Sequence, residues 1–310
     1  MNQSNTPPIL FIIFNRPEKT RRVFDAIQKA RPKQLFIAAD GPHSDRTEDI
    51  KLCKETRAVV EKIDWPCEVK TRFQDANVGC KIGVSSAINW FFAHVDEGII
   101  LEDDCIPVSS FFTYCADLLE QYRDNSQIMH INGTSFLNDN EITDHRFSYH
   151  FSRHPHVWGW ATWRRAWNKY DINMTHLDDL IDTPIARELF LNKKYLKFWI
   201  TFCKNIRDKH VDTWDAQWQY TLMYNNGCAI TPHFNLIENI GFGPDATHTK
   251  NEDFVGKHVT ELSQPLRHPI AISIDKIADA HLARRIYMQG IWKKIICRIQ
   301  SASLKFGILK

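Results

Sequence analysis

An apolar run ends in three consecutive acids in the stretch Ile99-Ile100-Leu101-Glu102-Asp103-Asp104-Cys105-Ile106-Pro107. Such a run is typical of a buried strand that stops at the edge of a sheet. Consecutive carboxylates repel one another, so a strand end that collects them usually holds something positive. A divalent ion fits, because Mg²⁺ or Mn²⁺ takes one or two protein carboxylates and completes its shell with phosphate oxygens and water. Taken alone, the triplet also fits a solvated acidic turn.

On the N-terminal side of this stretch, short apolar runs alternate with helix-like segments. This alternation predicts βαβ units and a parallel sheet. Pro17 suits the first position of a helix, and the apolar residues after it share one helical face. The predicted strands are 8–14, 34–39, 68–73 and 98–101, and the later predicted helices are 47–62 and 83–92.

Polar side chains follow three of these strands. Asn15 and Arg16 come after the first, Asp40 after the second, and the acidic triplet after the fourth. In open α/β sheets, ligands bind beyond the carboxyl ends of the strands, where the strand order reverses. The sequence therefore predicts a binding site that these strand ends share.

Composition narrows the class of protein. With 310 residues, 43% of them apolar, the chain can bury a substantial core. Its formal charge of +2 is too small for a nucleic-acid-binding protein, so no nucleic-acid partner is expected. The eight cysteines contain no CxxC pair, which favours a reduced, cytoplasmic setting. No signal peptide and no run of roughly 20 apolar residues is evident, so no transmembrane anchor is expected.

Five landmarks occur in an order and spacing that resemble a known family. They are Phe14-Asn15-Arg16-Pro17, Ala39-Asp40-Gly41-Pro42, Asn77-Val78-Gly79, Leu101-Glu102-Asp103-Asp104 and Trp214-Asp215-Ala216-Gln217. Over roughly residues 8 to 250 the chain resembles GT-A nucleotide-sugar glycosyltransferases, especially the N-acetylglucosaminyltransferase I type and bacterial relatives from surface-polysaccharide clusters. The resemblance implies one GT-A catalytic domain, residues 1–265, with a mainly parallel twisted sheet and helices on both faces. Residues 266–310 would then form a C-terminal extension.

The resemblance also implies roles for the residues at the strand ends. Asp104 corresponds to the metal ligand of the family's acidic motif, with Mn²⁺ or Mg²⁺ as the ion. Asp103 corresponds to the ribose contact and Glu102 to a substrate contact. Arg16 and Asp40 correspond to nucleoside-binding positions, where a carboxylate accepts the N3–H of uracil. For Arg16, the alternative is a surface residue at the start of a helix.

Further nucleotide contacts are implied beside these positions. Asn15, which follows the first predicted strand, is one of these implied contacts. Asn77 and Gly79 match a turn beside the nucleotide, where a side chain in place of glycine would block close approach. Lys81 would offset phosphate charge. The same Asn-x-Gly sequence is also an ordinary entry turn of a helix.

Two later residues complete the implied chemistry. Asp215 is the candidate general base of an inverting transfer, which needs a carboxylate to take the proton of the attacking acceptor. Asp212 is its rival, and a surface acid on a helix is the alternative. His248 is a candidate metal ligand, because a neutral imidazole suits Mn²⁺. Asp245 is a second candidate in that loop, although a loop histidine is often only exposed.

The segment from His154 to Arg165 combines tryptophans with cations. Indole rings stack on the apolar faces of sugars, and arginine binds phosphate or carboxylate groups of an acceptor. Trp158 and Trp160 are therefore candidates for the wall of a sugar site. The alternative is that these tryptophans belong to the core.

The C-terminal tail from His281 to Lys310 carries seven Lys and Arg residues and no acid. An apolar stripe of Trp292, Ile295, Ile296 and Ile299 lies opposite its cations on a helical projection. This pattern is typical of a helix on an anionic membrane surface, which would place the protein at the inner face of the cell membrane. A stripe that docks on the catalytic domain or on a second subunit is the alternative.

Together these observations predict a metal-dependent, inverting transfer of sugar from a nucleotide-diphosphate donor, such as a UDP-sugar, to a glycan or glycolipid acceptor. A sugar nucleotidyltransferase is a second interpretation, although such enzymes open with a glycine-rich loop where this chain has Asn15-Arg16-Pro17-Glu18-Lys19. A carbohydrate-binding protein on a decayed transferase fold is a third, since fold alone does not establish activity.

Overall fold

The computed structural model describes residues 6–189, 193–242 and 258–285. Its strands are β1 (Ile9–Ile13), β2 (Gln34–Ala39), β3 (Glu68–Phe73), β4 (Glu97–Glu102), β5 (Cys105–Pro107), β6 (Ile128–Asn132), β7 (Tyr149–Ser152), β8 (Trp160–Trp163), β9 (Cys228–Pro232) and β10 (Ile237–Asn239). Its helices are α1 (Pro17–Ala30), α2 (Thr47–Val59), α3 (Cys80–Phe92), α4 (Ser109–Gln121), α5 (Arg164–Trp167), α6 (Pro184–Leu189), α7 (Lys193–Arg207), α8 (Asp215–Tyr224) and α9 (Lys276–Ala283).

Eight of the strands form one sheet with the order β3-β2-β1-β4-β8-β6-β9-β7. The pairs β3/β2, β2/β1, β1/β4 and β6/β9 are parallel. The pairs β4/β8, β8/β6 and β9/β7 are antiparallel, so only β8 and β7 run against the rest of this sheet. The predicted α/β class with a mainly parallel central sheet is therefore confirmed. Strands β5 and β10 form a separate antiparallel ribbon.

Helices cover both faces of the sheet, because side chains along each central strand alternate between two cores. In β1, Ile9 and Phe11 join one hydrophobic cluster while Leu10 joins the other. The first cluster contains residues of α1, α2 and α4. The second contains residues of α3, α5 and α8. Strands buried on both faces read as continuous apolar runs, which is why they stand out in the sequence.

The strands predicted at 34–39 and 68–73 have those bounds in the structure. Helix α1 begins at Pro17, as predicted from the fixed φ of proline. Helix α2 ends at residue 59 rather than 62, and α3 begins at residue 80 rather than 83. These differences lie at helix ends, where tertiary contacts decide the last turn.

The described part of the predicted C-terminal extension packs against the sheet. Ile274 forms a β-bridge with Phe151 of β7. In α9, the carboxylate of Asp279 accepts hydrogen bonds from the hydroxyl of Ser152 at 2.6 Å and the backbone N–H of Arg153 at 2.9 Å. The predicted boundary at residue 265 stays a prediction. The apolar stripe of the tail lies outside the described residues. Within those residues, no helix is long and apolar enough to cross a membrane.

A buried histidine ties the centre of the sheet to α8. His130 of β6 is fully buried, and its ring stacks on Trp160 with centroids 4.8 Å apart. The indole N–H of Trp218 donates to its Nδ1 at 3.0 Å. Its Nε2 lies 3.0 Å from the carbonyl oxygen of His156, so Nε2 carries the proton. Burial lowers the pKa of His130 to about 3, because the charged ring would lose its hydration.

The His130→Gln variant provides a test of this buried, neutral state. Below the ordinary histidine pKa of about 6.5, the unfolded chain takes up a proton that folded His130 does not, so acid favours unfolding. Relative to the variant, wild type should lose about 2 kcal/mol of its free energy of unfolding between about pH 6.5 and pH 5. Urea titrations of both proteins at several pH values measure this difference. A difference that stays constant across that range would contradict it.

Candidate functional site

A cavity of about 680 Å³ lies at the carboxyl ends of β1, β2 and β4. This is where the strand order reverses, between β1 and β4. The structure therefore brings together the polar strand ends that the sequence singles out. The predicted site residues that line the cavity are Arg16, Asp40, Asn77, Gly79, Glu102, Asp103, Asp104, Trp158 and Asp215.

One guanidinium group joins two acids of the triplet. Arg16 donates from Nη1 to Oδ2 of Asp104 at 2.9 Å and from Nη2 to Oδ1 of Asp103. The backbone N–H of Phe14 also donates to Asp103, at 3.3 Å. Asp103 is 1% exposed, and a carboxylate buried this deeply needs such partners. The predicted proximity of Arg16 to the acidic strand end is thus present as a direct ion pair.

Burial and mutual repulsion shift the acids of the triplet. Burial, together with the negative charges of Asp104 and Asp103, raises the pKa of Glu102 to about 8. The same burial raises the pKa of Asp103 to about 6, although Arg16 opposes the shift. The charge of Asp215 contributes to the raised pKa of Glu102, so the strand end and the candidate base share one electrostatic field.

Asp40 organises the turn after β2. Its Oδ1 accepts hydrogen bonds from the backbone N–H groups of Gly41 at 2.8 Å and Val78 at 3.0 Å. Its Oδ2 accepts from the side chain of Asn77 at 3.0 Å. Burial raises the pKa of Asp40, and these hydrogen bonds oppose the shift. The N–H of Val78 also lies 3.3 Å from Oδ2. Asp40 therefore holds this turn, and its carboxylate lines the cavity.

The Asn-x-Gly turn leads into α3, and Asp212 caps that helix. Gly79 has φ of +83°, which L side chains rarely adopt, and a Cβ there would lie 2.7 Å from Oδ2 of Asp212. The Asp212 carboxylate accepts from the backbone N–H groups of Cys80 at 2.7 Å and Lys81 at 3.1 Å. Gly79 is therefore required for the approach of a protein carboxylate.

Asp215 and Asp212, the two candidate bases, differ in the hydrogen bonds that their carboxylate oxygens accept. Its Oδ1 accepts from the hydroxyl of Thr213 and from the backbone N–H of Ala216 at 2.9 Å. Its Oδ2 has no hydrogen-bond partner among the described residues. Both oxygens of Asp212 are engaged at the start of α3. Of the two acids, Asp215 has the oxygen that is available to a bound molecule.

Aromatic rings form one wall of the cavity. Trp158 packs edge-to-face against Phe136 and Phe242, with ring centroids 5.3 and 5.5 Å apart. The prediction that Trp160 belongs to this wall is wrong. Trp160 is fully buried in the core, stacked between His130 and Trp214, and does not line the cavity.

Strand direction explains which part of that tryptophan-rich segment reaches the site. Strand β8 is antiparallel to β4, so its start lies at the carboxyl end of β4 and its end lies away from the cavity. Arg164 therefore pairs with Asp96 and binds backbone carbonyls. Arg165 stacks over Trp163, 4.3 Å from the ring centroid, and also binds carbonyl groups. Neither arginine is placed to bind an acceptor in the cavity.

Three further predictions have different outcomes. Asn15 does not line the cavity; its side chain donates to Asp49 at 2.8 Å. Asp49 in turn contacts Nδ1 of His43, which does line it. The side chain of Lys81 is not part of the cavity wall. His248 and Asp245 lie outside the described residues.

Several cavity residues carry no signal in the sequence. Phe136 and Phe242 come from loops that are far apart in the chain, and only the fold brings them to Trp158. Arg72 lies on β3, and its guanidinium donates to the carbonyl oxygen of Ser86 at 2.5 Å. Polar residues on an edge strand are common, so this position does not stand out.

The donor set suits a divalent ion that binds together with a diphosphate. Within the described residues, no group of three or more His, Cys, Asp or Glu side chains is arranged to hold a metal alone. Asp104 nevertheless offers a hard oxygen at the cavity, and Mg²⁺ or Mn²⁺ needs only one or two such ligands beside phosphate oxygens. Among the described residues, six carboxyl groups and two guanidinium groups line the cavity, so an added cation would favour an anionic ligand there.

No protein-family model matches the chain, and no curated protein sequence matches it. Among solved structures, the apo form of mouse xyloside xylosyltransferase 1 aligns with 70% of this chain and 81% of its own, at 10% identity and a TM-score of 0.33. A Bacillus anthracis protein assigned as a glucose-1-phosphate thymidylyltransferase, solved with a sucrose, aligns with 70% of this chain and 94% of its own, at 13% identity and a TM-score of 0.31. Likenesses this weak assign no function.

The different roles of the two acids can be separated by stability. Asp212→Ala removes the acceptor for two N–H groups at the start of α3, so the free energy of unfolding should fall by about 1 kcal/mol. Asp215 accepts no hydrogen bond from another helix or strand among the described residues. Asp215→Asn should therefore change the free energy of unfolding by less than about 0.5 kcal/mol. Denaturant unfolding of both variants gives the comparison. Equal losses in the two variants would show that Asp212 does not act as a cap.

Proposed function

We propose that this protein is a nucleotide-sugar glycosyltransferase that transfers a sugar from a nucleotide-diphosphate donor to a glycan or glycolipid acceptor. The observation that carries the proposal is the content of a single cavity. An acidic strand end, an arginine, a carboxylate with an available oxygen and an aromatic wall meet at the reversal of the strand order. This position in an α/β sheet is where nucleotides bind.

The donor would lie across the carboxyl ends of β1, β2 and β4. Asp40 would accept the N3–H of uracil, which favours a uridine diphosphate donor, and Asp103 would face the ribose. Asp104 would hold Mn²⁺ or Mg²⁺, which supplies the positive charge that stabilises the departing diphosphate. Trp158 lines the cavity, and its indole ring would stack on the sugar.

Asp215 would act as the general base. As the acceptor oxygen forms its bond to the anomeric carbon, the bond from that carbon to the diphosphate oxygen breaks and its electron pair leaves with the diphosphate. The acceptor proton passes to Oδ2 of Asp215, which has no hydrogen bond from the described residues to give up first. Attack from the face opposite the leaving group inverts the anomeric configuration.

A sugar nucleotidyltransferase has less support from the site. The turn between β1 and α1 contains Phe14, Asn15 and Arg16, without a glycine, and the Arg16 side chain binds carboxylates. Such a turn has few backbone N–H groups free to cradle a triphosphate. Analysis of the products distinguishes the two functions, because a nucleotidyltransferase releases pyrophosphate and a glycosyltransferase releases a nucleoside diphosphate.

Metal-assisted donor binding provides the first test. Asp104→Ala should abolish the Mn²⁺-dependent part of UDP binding and leave the fold intact, because removal of one acid from a repulsive cluster relieves charge. Calorimetric titration of UDP with Mn²⁺ and with a chelator measures the effect. Asp75→Ala is the control, since Asp75 is an exposed acid outside the cavity wall. Equal UDP affinity with Mn²⁺ and with chelator in wild type would exclude the metal role.

Turnover provides the second test. Asp215→Asn keeps the size of the side chain but cannot take the proton, so turnover should fall by about 10² to 10⁴ while donor binding survives. Asp212→Asn is the matched control, with a much smaller loss expected because its amide oxygen can still accept from one of the two N–H groups at the start of α3. Near-normal turnover of Asp215→Asn, or a product with retained anomeric configuration, would refute the role of Asp215.

A further inference from the structure

We propose that Arg16 and the metal ion compete for Asp104, and that Arg16 moves from Asp104 to the donor diphosphate when the ion binds. The inference rests on the proposed function and adds a coupling device to it. Arg16 would thus be a positioning residue that makes metal binding depend on the donor. Arg16 carries one of the two guanidinium groups that line the cavity within the described part of the chain, and it binds two acids of the triplet at once.

The two bonds of Arg16 differ in how easily each is given up. Asp103 is almost fully buried and has Arg16 and the N–H of Phe14 as its hydrogen-bond donors. Its carboxylate cannot lose the guanidinium without leaving a buried charge unpaired. The side chain of Asp104 is 17% exposed and reaches the cavity. Its bond to Arg16 can be replaced by a ligand from the cavity.

The oxygen that Arg16 uses on Asp104 is restricted on its other side. A Cβ added to Gly241 would lie 2.3 Å from Asp104 Oδ2, so the loop backbone packs closely against that atom. On Oδ1, the only hydrogen bond from the described residues is a weak one from the thiol of Cys105, at 3.4 Å. An ion that binds the more open Oδ1 therefore lies beside the guanidinium on Oδ2 of the same carboxylate, and like charges at that distance repel strongly.

The backbone of Arg16 is fixed, so the exchange involves only its side chain. Arg16 precedes Pro17 at the start of α1, and its carbonyl oxygen accepts from the N–H of Thr20 at 2.9 Å. Nη2 can stay on Asp103 while Nη1 leaves Asp104 and donates to a phosphate oxygen. Arginine is suited to this because its guanidinium presents several donors in a fixed plane.

This exchange predicts opposite effects of Arg16 on the two ligands. Without a donor, Arg16 opposes the ion, because its positive charge neutralises the acid that the ion needs. With a donor, Arg16 gains a diphosphate partner and no longer opposes the ion. By linkage, the ion and the diphosphate then increase each other's affinity. Removal of the guanidinium should strengthen metal binding in the absence of nucleotide and weaken diphosphate binding.

The test measures Mn²⁺ binding to the full chain by electron paramagnetic resonance of free Mn²⁺, first without nucleotide. Arg16→Gln should bind Mn²⁺ about tenfold or more tightly than wild type, and Arg16→Lys should fall between them. Arg72→Gln is the matched control. It removes the other guanidinium of the cavity wall, which donates to the Ser86 carbonyl and not to a carboxylate, and should leave Mn²⁺ affinity within about twofold. Asp104→Asn should abolish the tight binding.

The outcomes separate this inference from the function on which it rests. Tighter Mn²⁺ binding by Arg16→Gln, with weaker UDP binding in saturating Mn²⁺, supports the exchange. Mn²⁺ binding by Arg16→Gln that is equal to or weaker than that of wild type overturns the exchange, while the metal role stands if Asp104→Asn still loses Mn²⁺-dependent UDP binding. Absence of any Mn²⁺ effect on wild type, with or without UDP, overturns both the exchange and the metal role of Asp104.

Because Arg16→Gln removes the partner of buried Asp103, a second measurement that does not depend on the folding of this variant uses wild type. A crystal structure of the wild-type chain with UDP and Mn²⁺ should show Arg16 Nη1 on a phosphate oxygen and no longer within hydrogen-bond distance of Asp104. An Arg16 that keeps both acids in that complex overturns the exchange.

Discussion

The parallel pairing of β1 with β4 is the constraint on which the site depends. Its register places Ile12 beside Glu102, so the residues just beyond the two strands must meet. Asp103 is buried there, and a buried carboxylate is stable only with a cation or several donors. Arg16 supplies that cation from the first residues after β1. The ion pair between Arg16 and Asp103 therefore stabilises the buried acid just beyond β4.

Other elements are arranged around this pair. The β5–β10 ribbon follows the acidic strand end directly, and the backbone N–H of Ile240 donates to the carbonyl oxygen of Asp104 at 2.8 Å. This contact fixes the backbone of Asp104 and leaves its side chain free to face the cavity. The segment just before β8 adds Trp158 from the opposite direction. Positioning thus comes from backbone pairing, while the cavity surface comes from loops.

The sequence predicts the parts of this structure that depend on local pattern. Strands such as 34–39 are continuous apolar runs because they are buried on both faces, and Asp40 is conspicuous because it interrupts such a run. The parallel strand ends could therefore be assigned to one site. The residue that follows a buried strand can be placed from the sequence, because the chain leaves the sheet at the carboxyl end of that strand.

The rest depends on contacts between distant segments, which leave no local pattern. Asp212 caps α3 across more than 130 residues, so its difference from Asp215 is invisible in the sequence. Trp158 and Trp160 are two residues apart in the same tryptophan-rich segment, yet one lines the cavity and the other is core. Their assignment requires the direction of β8, which no periodicity specifies. Tertiary topology, rather than residue type, decides which tryptophan meets a ligand.

The excess of acid in the cavity has a physical consequence for ligand binding. Burial, together with the negative charges of Asp104 and Asp103, raises the pKa of Glu102 to about 8, so repulsion among these acids persists in the folded protein. One guanidinium shared by Asp103 and Asp104 neutralises only part of this charge. A second arginine bound to the same acids would neutralise the remaining negative charge, and a cation would then not be attracted. A single shared arginine stabilises buried Asp103 and leaves an excess of acid among the described residues of the cavity wall, which would attract the divalent cation proposed above.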